Sequence, residues 1–443
     1  MNEYILKNVT ILDGTINMSE VKTSILIKDN KIVEIGDDIK GEYKTIDLDG
    51  KYVIPGLINL HVHLPGSGKV HKKAKDSKKL VKLITEHKLL RFIGLLLEKK
   101  YARIELNSGV TTLRSVGGVD TFDTELRDKI NSGKIIGPRI IASNYALAPV
   151  DGHMLGTVSK LVETKEDAIK MVDELAKSNV DLIKLMITGG VIDAVKLGEP
   201  GVLKMDKEIV AASCIRAHEL GLKVSAHTES IEGVKVALEC GVDTIEHGAN
   251  FDSEIINLFK ENNSSLIITI SPGAVISLLP LDKTFMTEFI RYNSVVVSKN
   301  IFDGLTLALK EGVNIGLGND VGCPYIFHYD FYRELEWLSI VMKLDRKYVL
   351  HLATLNNAKI IDMSDKIGSI EEGKLADLVI LNKNPLDDFK NLRDINMVIK
   401  DGNIISNIKN KVDKKCEKML DELFDCDIHE EFEKYFTLHP DGK

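Results

Sequence analysis

Two histidines one residue apart, His61 and His63, close the apolar run Tyr52-Val53-Ile54-Pro55-Gly56-Leu57-Ile58-Asn59-Leu60. Side chains two apart on a β-strand point to the same side, so both imidazoles would aim at one point. Imidazole suits divalent transition metals. A lone His-x-His is as readily a structural pair as a metal pair, so the metal reading requires further ligands downstream. Four more residues each end an apolar run: Lys184 after Asp181-Leu182-Ile183, His227 after Val224-Ser225-Ala226, His247 after Thr244-Ile245-Glu246, and Asp320 after Ile315-Gly316-Leu317-Gly318-Asn319. Singly, each has an ordinary explanation: a strand-end histidine holds a hydrogen bond, and a lysine snorkels to water. Six candidate ligands at strand ends of one domain point to a metal centre able to activate water.

Such a centre needs a scaffold that brings strand ends together. Between about residues 57 and 360, short apolar runs alternate with helical spacing. Candidate strands are Ile58–His61, Thr111–Arg114, Arg139–Ser143, Leu182–Met186, Val224–His227, Thr244–Glu246, Ser265–Ile270 and Asn314–Gly318. Three- and four-residue apolar periodicity marks helices such as Lys165–Ser178 and Lys207–Leu220. Strand–helix alternation on this scale predicts an α/β fold, a (β/α)8 TIM-like barrel whose chemistry sits at the C-terminal strand ends. An open doubly wound sheet is the alternative, but no Gly-x-Gly-x-x-Gly turn follows an early strand. Two stretches, Leu64–Glu86 and Pro272–Tyr292, read as enlarged loops on the catalytic face, where lids belong.

The chain ends read as β-structure. Residues 4–12 and 24–36 carry turn signals at Asp13-Gly14 and Asp29-Asn30, and Gly373–Leu381 and Val398–Ile405 are their natural partners. Neither half buries an apolar face alone. We therefore expect one small β-sandwich from residues 1–56 and 361–406, with the barrel (57–360) inserted and a charged helical tail (407–443) packed on the barrel or on another subunit.

Composition narrows the function classes. With 443 residues, 44% hydrophobic, the chain can bury a barrel-sized core. A net charge of −8 argues against nucleic acid as the main partner, and the lysine-rich Lys69–Lys82 stretch reads as solvated surface. The opening residues lack a signal-peptide pattern, and no apolar run reaches transmembrane length. Five scattered cysteines (Cys214, Cys240, Cys323, Cys416, Cys426) fit free thiols. A cytoplasmic enzyme with a small-molecule substrate, no membrane partner and a homo-oligomeric state is expected.

Across the chain to about residue 406, the motifs resemble those of the metal-dependent amidohydrolase superfamily, most closely its prolidase-like and imidazolonepropionase-related dipeptidase branch. The likeness rests on Val53–His63, Gly109-Val110-Thr111-Thr112-Leu113-Arg114, Ile183–Val191, Ala226-His227, Ile245-Glu246-His247-Gly248, Gly318-Asn319-Asp320 and Gly368–Val379. It implies two divalent metal ions, usually zinc. His61, His63 and Asp320 would hold the more buried ion, His227 and His247 the second, and Lys184 would bridge them as an N-carboxylated lysine. A bare ammonium cannot bind a cation, whereas its carbamate can. The implied reaction is attack of a metal-bridging hydroxide on a C–N amide, peptide-like or cyclic amide bond, with Asp320 relaying the proton to the leaving amine.

The same resemblance assigns His153, in Val150-Asp151-Gly152-His153, to holding substrate. His328 follows Asp320 on one loop and could reach the site rim. Arg114 fits a buried ion pair as well as it fits a substrate contact. Gly189-Gly190 would let the backbone pass close to a ligand. The chain departs from the family pattern at Asn59 and Asn319, and at Thr228-Glu229-Ser230, where prolidase-like enzymes offer an aromatic residue to the substrate carboxylate. Glu229 would repel a free carboxylate and favour a cationic or donor-rich group. The competing reading is a deaminase of an aminoazole or amidine-type ring. Such relatives use one metal and lack a bridging lysine. A non-catalytic barrel would be expected to lose ligands, and all six are present.

Overall fold

The computed structural model describes residues 3–70 and 76–438. The opening segment forms β1 (Glu3–Ile11), β2 (Val21–Lys28), β3 (Lys31–Ile35), β4 (Lys44–Asp47) and β5 (Tyr52–Pro55). The β-branched and aromatic content of Tyr4-Ile5-Leu6 and Ser24-Ile25-Leu26-Ile27 suits a pleated surface that buries one face.

The barrel strands are β6 (Leu57–Val62), β7 (Val110–Ser115), β8 (Arg139–Ala142), β9 (Ala146–Ala148), β10 (Ser159–Leu161), β11 (Leu182–Met186), β12 (Lys223–Thr228), β13 (Thr244–His247), β14 (Ser265–Ile268) and β15 (Asn314–Leu317). After them come β16 (Leu378–Leu381), β17 (Ile395–Lys400) and β18 (Asn403–Ile404). All eight expected barrel strands form, and β9 and β10 are added on the β11 edge. Parallel pairing runs β6-β7-β8 and β11-β12-β13-β14-β15. The two runs join where Asp181 N donates to Ala142 O at 2.8 Å, and close where Asp320 N donates to His61 O at 3.0 Å beside a Val62–Val321 bridge. This arrangement is consistent with a (β/α)8 TIM-like barrel. Strands such as Leu182–Met186 are buried at every residue, as parallel strands covered on both faces must be.

Helices return the chain between strands, with caps readable in the sequence. The side chains of Thr164, Ser230 and Asp252 accept from the backbone N–H groups of Asp167, Gly233 and Ile255. None of the described helices is long and apolar enough to cross a membrane.

Both chain ends enter one eight-stranded sheet, ordered β18-β17-β16-β5-β1-β2-β3 with β4 on β1. The joining register sets Val379 opposite Ile54 and Ile380 opposite Val53. Leu6, Ile25, Ile27, Val53, Leu378 and Ile380 share one buried cluster, to which both halves of the chain contribute.

Two loop expectations need correction. Pro272–Tyr292 is not an open lid: it carries the helix Ser271–Leu278, a short turn of helix at Leu281–Thr284, and the start of a long helix, Glu288–Glu311. Proline is tolerated in a first helical turn, and the buried Ala274, Val275 and Ile276 anchor the segment over the barrel mouth. In Leu64–Glu86, residues 77–86 are helical with Asp76 as the cap. Residues 71–75 of that stretch, within the lysine-rich run, lie outside the described residues. The tail packs on the barrel through the helices Lys414–Asp421 and Ile428–Leu438. Phe424 lies 4.5 Å from Trp337, and Phe432 stacks on Phe302. Residues 439–443 are outside the described part.

Candidate metal centre

The strands β6, β11, β12, β13 and β15 and the turns after them bring His61, His63, Lys184 (the middle residue of β11), His227, His247 and Asp320 to one cavity of about 240 Å3. Three of the imidazoles are tethered through Nδ1. His61 Nδ1 lies 2.8 Å from Glu246 Oε2, His63 Nδ1 is 2.8 Å from Gly117 O, and His247 Nδ1 is 2.7 Å from Thr269 Oγ1. An anchored Nδ1–H leaves the Nε2 lone pair free, as in ligating histidines. His61 and His63 turn Nε2 to within 3.5 and 3.3 Å of Asp320 Oδ1. His227 differs: its Nε2 is 3.3 Å from Gly189 O, and its ring stacks on His153 at 4.2 Å. Burial, foremost, holds His227 and His247 well below the ordinary imidazole value, so both are neutral donors.

Ligand atoms of His61, His247 and Asp320 lie within 4.8 Å of one another. That trio cuts across the two ligand groups implied by the resemblance. Burial alone would raise the Asp320 carboxyl, but His61 and His63 outweigh it and hold the group well below its usual range. His247 and Asp320 also have left-handed backbone, with φ of 68° and 53°. Such non-glycine conformations cluster at functional sites. Gly318 permits the approach of β15, because a Cβ there would lie 2.3 Å from His61 Cβ.

Lys184 is fully buried, and its Nζ has no hydrogen-bond partner. Burial drives its pKa down to about 8; Glu246 and Asp320 resist this, while Arg114 adds to it. An orphaned amine among imidazoles and carboxylates is poorly satisfied as it stands. The surrounding imidazoles and carboxylate form a donor set that fits divalent metal.

Beneath the ligands lies a layer that strand-end reasoning did not single out. Glu246 receives Arg114 Nη2 at 2.6 Å, Ser225 Oγ at 2.7 Å and Thr244 Oγ1 at 2.9 Å, besides His61. Arg114 and Lys184 overcome burial and keep this carboxylate ionised far below its usual range. The ion-pair reading of Arg114 is the one the structure bears out. Asn59 and Asn319 meet each other: Asn59 Nδ2 donates to Asn319 Oδ1 at 2.8 Å, and Asn59 Oδ1 accepts from the backbone N–H groups of His61 and Asn319 at 3.3 Å each. Cys323 Sγ sits 3.4 Å from Asp320 Oδ2.

His153 lines the cavity, with Nδ1 bonded to Asp193 Oδ2. Gly190 makes room for its ring: a Cβ there would be 2.7 Å from ring atoms. Glu229 also lines the cavity, half-buried, with Oε2 shielded from solvent and unpartnered. Its pKa is pushed up to about 8 by burial, then by Asp320 and Asp193, against one backbone N–H from Val191. His328 does not line the cavity. Its ring nitrogens face Glu105 Oε1 (3.1 Å) and Gly66 O (2.8 Å), and Tyr101 stacks on it at 4.6 Å. It braces the loop after β6, which corrects its assignment as a substrate contact. A larger cavity of about 700 Å3 under the tail, walled by Tyr329, Tyr332 and Arg393, contains none of the six candidate ligands.

Comparison with known proteins agrees with this geometry. The model of the amidohydrolase family matches residues 52–405. The imidazolonepropionase of Fusobacterium nucleatum is 26% identical over 412 residues, covering 84% of this chain and 89% of that protein. Among solved structures, a candidate prolidase of Bifidobacterium longum superposes with a TM-score of 0.83 at 34% identity, covering 96% of this chain and 99% of its own. A Xaa-Pro dipeptidase with methionine bound in its active site gives 0.80 at 30% identity, covering 91% and 99%.

Proposed function

The chain belongs to the amidohydrolase family, a hydrolase of C–N bonds that depends on divalent metal, and on that premise we propose that it is a binuclear enzyme cleaving an amide, peptide-like or cyclic amide bond of a small molecule. The observation that carries this reading is Lys184, a fully buried amine without a partner at the centre of the cluster. Converted to its carbamate by CO2, it becomes an anion able to span two cations. A single-ion deaminase site has no use for a lysine there.

His61, His63 and Asp320 would hold one ion and His227 and His247 the other, with zinc the metal best suited to this nitrogen-rich set. Bound ions would supply Lewis acidity to the substrate carbonyl and a water acidified enough to attack at neutral pH. Asp320 is the general base. Its Oδ1 lies within 3.5 Å of His61 and 3.3 Å of His63 and its carboxyl is held ionised, which supports a role in taking the water's proton and returning it to the departing amine nitrogen. His153 would hold the substrate's polar group, a role supported by its stacking on His227 and its bond to Asp193. Glu246 and Arg114 keep His61 in the tautomer that offers Nε2. The boundaries proposed for the domains are 1–56 with 361–406 for the β domain, folded as a sandwich, 57–360 for the barrel and 407–443 for the tail.

The test is metal stoichiometry with carbon-13 NMR of protein prepared in labelled bicarbonate. Two ions per chain and a carbamate signal lost in Lys184→Ala are expected. One ion and no such signal, with ammonia released from an aminoazole, would replace this reading by the deaminase.

A further inference from the structure

Away from the six ligands one part of the cavity wall is apolar, made by Val191, Ile192, Ile276, Val297, Ile301 and Phe302, with Ser294 and Ser298 beside them. Into this space opens one carboxyl that is not among the proposed ligands, that of Glu229. The residue is half-buried, but its Oε2 is shielded from solvent and finds no partner. The backbone holds it there. Glu229 N donates to Thr188 Oγ1 at 3.1 Å, and Gly201 packs so closely that a Cβ on it would lie 2.2 Å from Glu229 O. These contacts fix the backbone from which the carboxyl projects.

Burying an unpaired carboxyl is costly unless a donor satisfies it. No protein donor reaches Oε2, which leaves it available to a donor on the ligand. Asp193, fixed on His153, adds a second acidic group near Glu229. Among the described residues lining the cavity there is no arginine, and Lys184 is the one lysine. A substrate carboxylate in this arm would face the unpartnered Glu229 Oε2 with no arginine to pair it.

We infer that Glu229 is a specificity-determining residue, and that the substrate is a small lipophilic amide whose arm facing Glu229 ends in an ammonium or N–H donor rather than a carboxylate. This rests on the amide-hydrolase reading above. It sets the chain apart from an enzyme that must grip the free carboxylate of a dipeptide in that arm.

The test uses the metal-loaded enzyme and two matched series. The first is leucine anilide, its N-acetyl derivative and its N-succinyl derivative, which vary the acyl arm. The second is N-benzoyl-ethylenediamine, N-benzoyl-propylamine and N-benzoyl-β-alanine, which vary the amine arm. In at least one series kcat/KM falls from the ammonium or N–H member to the carboxylate member by about tenfold or more, as a site built around a buried polar partner requires. Glu229→Gln compresses that spread. Carboxylate members preferred in both series, or a spread that Glu229→Gln leaves intact, would overturn the inference; the wild-type series decides even if the variant fails to fold. If no member is hydrolysed, the hydrolase reading fails, and binding still decides the arm. Calorimetry with 4-phenylbutylamine and 4-phenylbutanol should show tighter binding of the amine that Glu229→Gln abolishes. Equal binding of the two by the wild type would overturn the inference on its own.

Discussion

Replacing Glu246 by glutamine separates the metal ligands from the layer that orients them. Glu246 is shape-matched by glutamine, so no cavity opens. Its Oε1 accepts from Arg114, Ser225 and Thr244, and its Oε2 faces His61 Nδ1. The glutamine carbonyl must take the Oε1 place, where three donors converge, which leaves its NH2 against His61. An imidazole facing a donor must accept at Nδ1 and carry its proton on Nε2, the nitrogen turned toward Asp320. That proton occupies the lone pair a metal needs. Loss of an outer partner of this kind costs ~10- to 100-fold in metal affinity, or about 1.4 to 2.7 kcal/mol. Arg114, 4% exposed at its side chain, also loses its charge partner, which adds about 3 to 5 kcal/mol of destabilisation. The assays are chelator competition at a temperature where circular dichroism shows the native fold, and urea denaturation of metal-free protein. Wild-type metal affinity in a folded Glu246→Gln variant would refute the tautomer argument, whatever happens to stability.

The packing around the barrel sets further expectations. Asn59→Ala removes the side chain that ties β6 to β15, leaving Asn319 Oδ1 buried without its donor; urea melts should show a loss of about 1 to 3 kcal/mol, and Asn319→Ala in the Asn59→Ala background should add less than it costs alone. Asp377 is buried; burial alone would raise its carboxyl, but Lys400 and Arg139 prevail and lower it below the ordinary value of 3.8. A depressed acid contributes stability above its unfolded value and loses it as pH falls through the folded one. Acid melts should therefore show that contribution fading below pH 3.8, and Asp377→Asn should flatten the dependence in that range. Phe432→Ala removes a buried ring stacked on Phe302 in the barrel's long helix; a stability loss of about 3 to 5 kcal/mol in chemical denaturation is expected, and an unchanged midpoint would mean that the tail is not docked on this barrel in solution.

The barrel and its six strand-end residues were legible because both rest on local pattern. A two-residue period fixes that His61 and His63 share a side, and apolar runs reaching a histidine or aspartate mark strand ends, although β11 runs on past Lys184 to Met186. The orienting layer was not legible, because its pairs are distant in sequence: 185 positions separate His61 from Glu246, and 260 separate Asn59 from Asn319. Asn59 and Asn319 were visible singly as departures from the family pattern; that each is the other's hydrogen-bond partner emerges only where the barrel closes. Ser271–Leu278 was missed because Pro272 and Gly273 read as loop signals, although proline is welcome in a first helical turn. His328 was misplaced for a related reason. Sequence proximity to Asp320 suggested the site rim, whereas Glu105 and the Gly66 carbonyl hold the ring behind it.

The central claim is that Lys184 bridges two metal ions. Anomalous diffraction from crystals of metal-loaded protein tests it most directly. The account predicts two anomalous peaks at the barrel mouth, about 3.5 to 4 Å apart, with continuous density from the Lys184 amine to both. A single peak beside an unmodified Lys184 would contradict it.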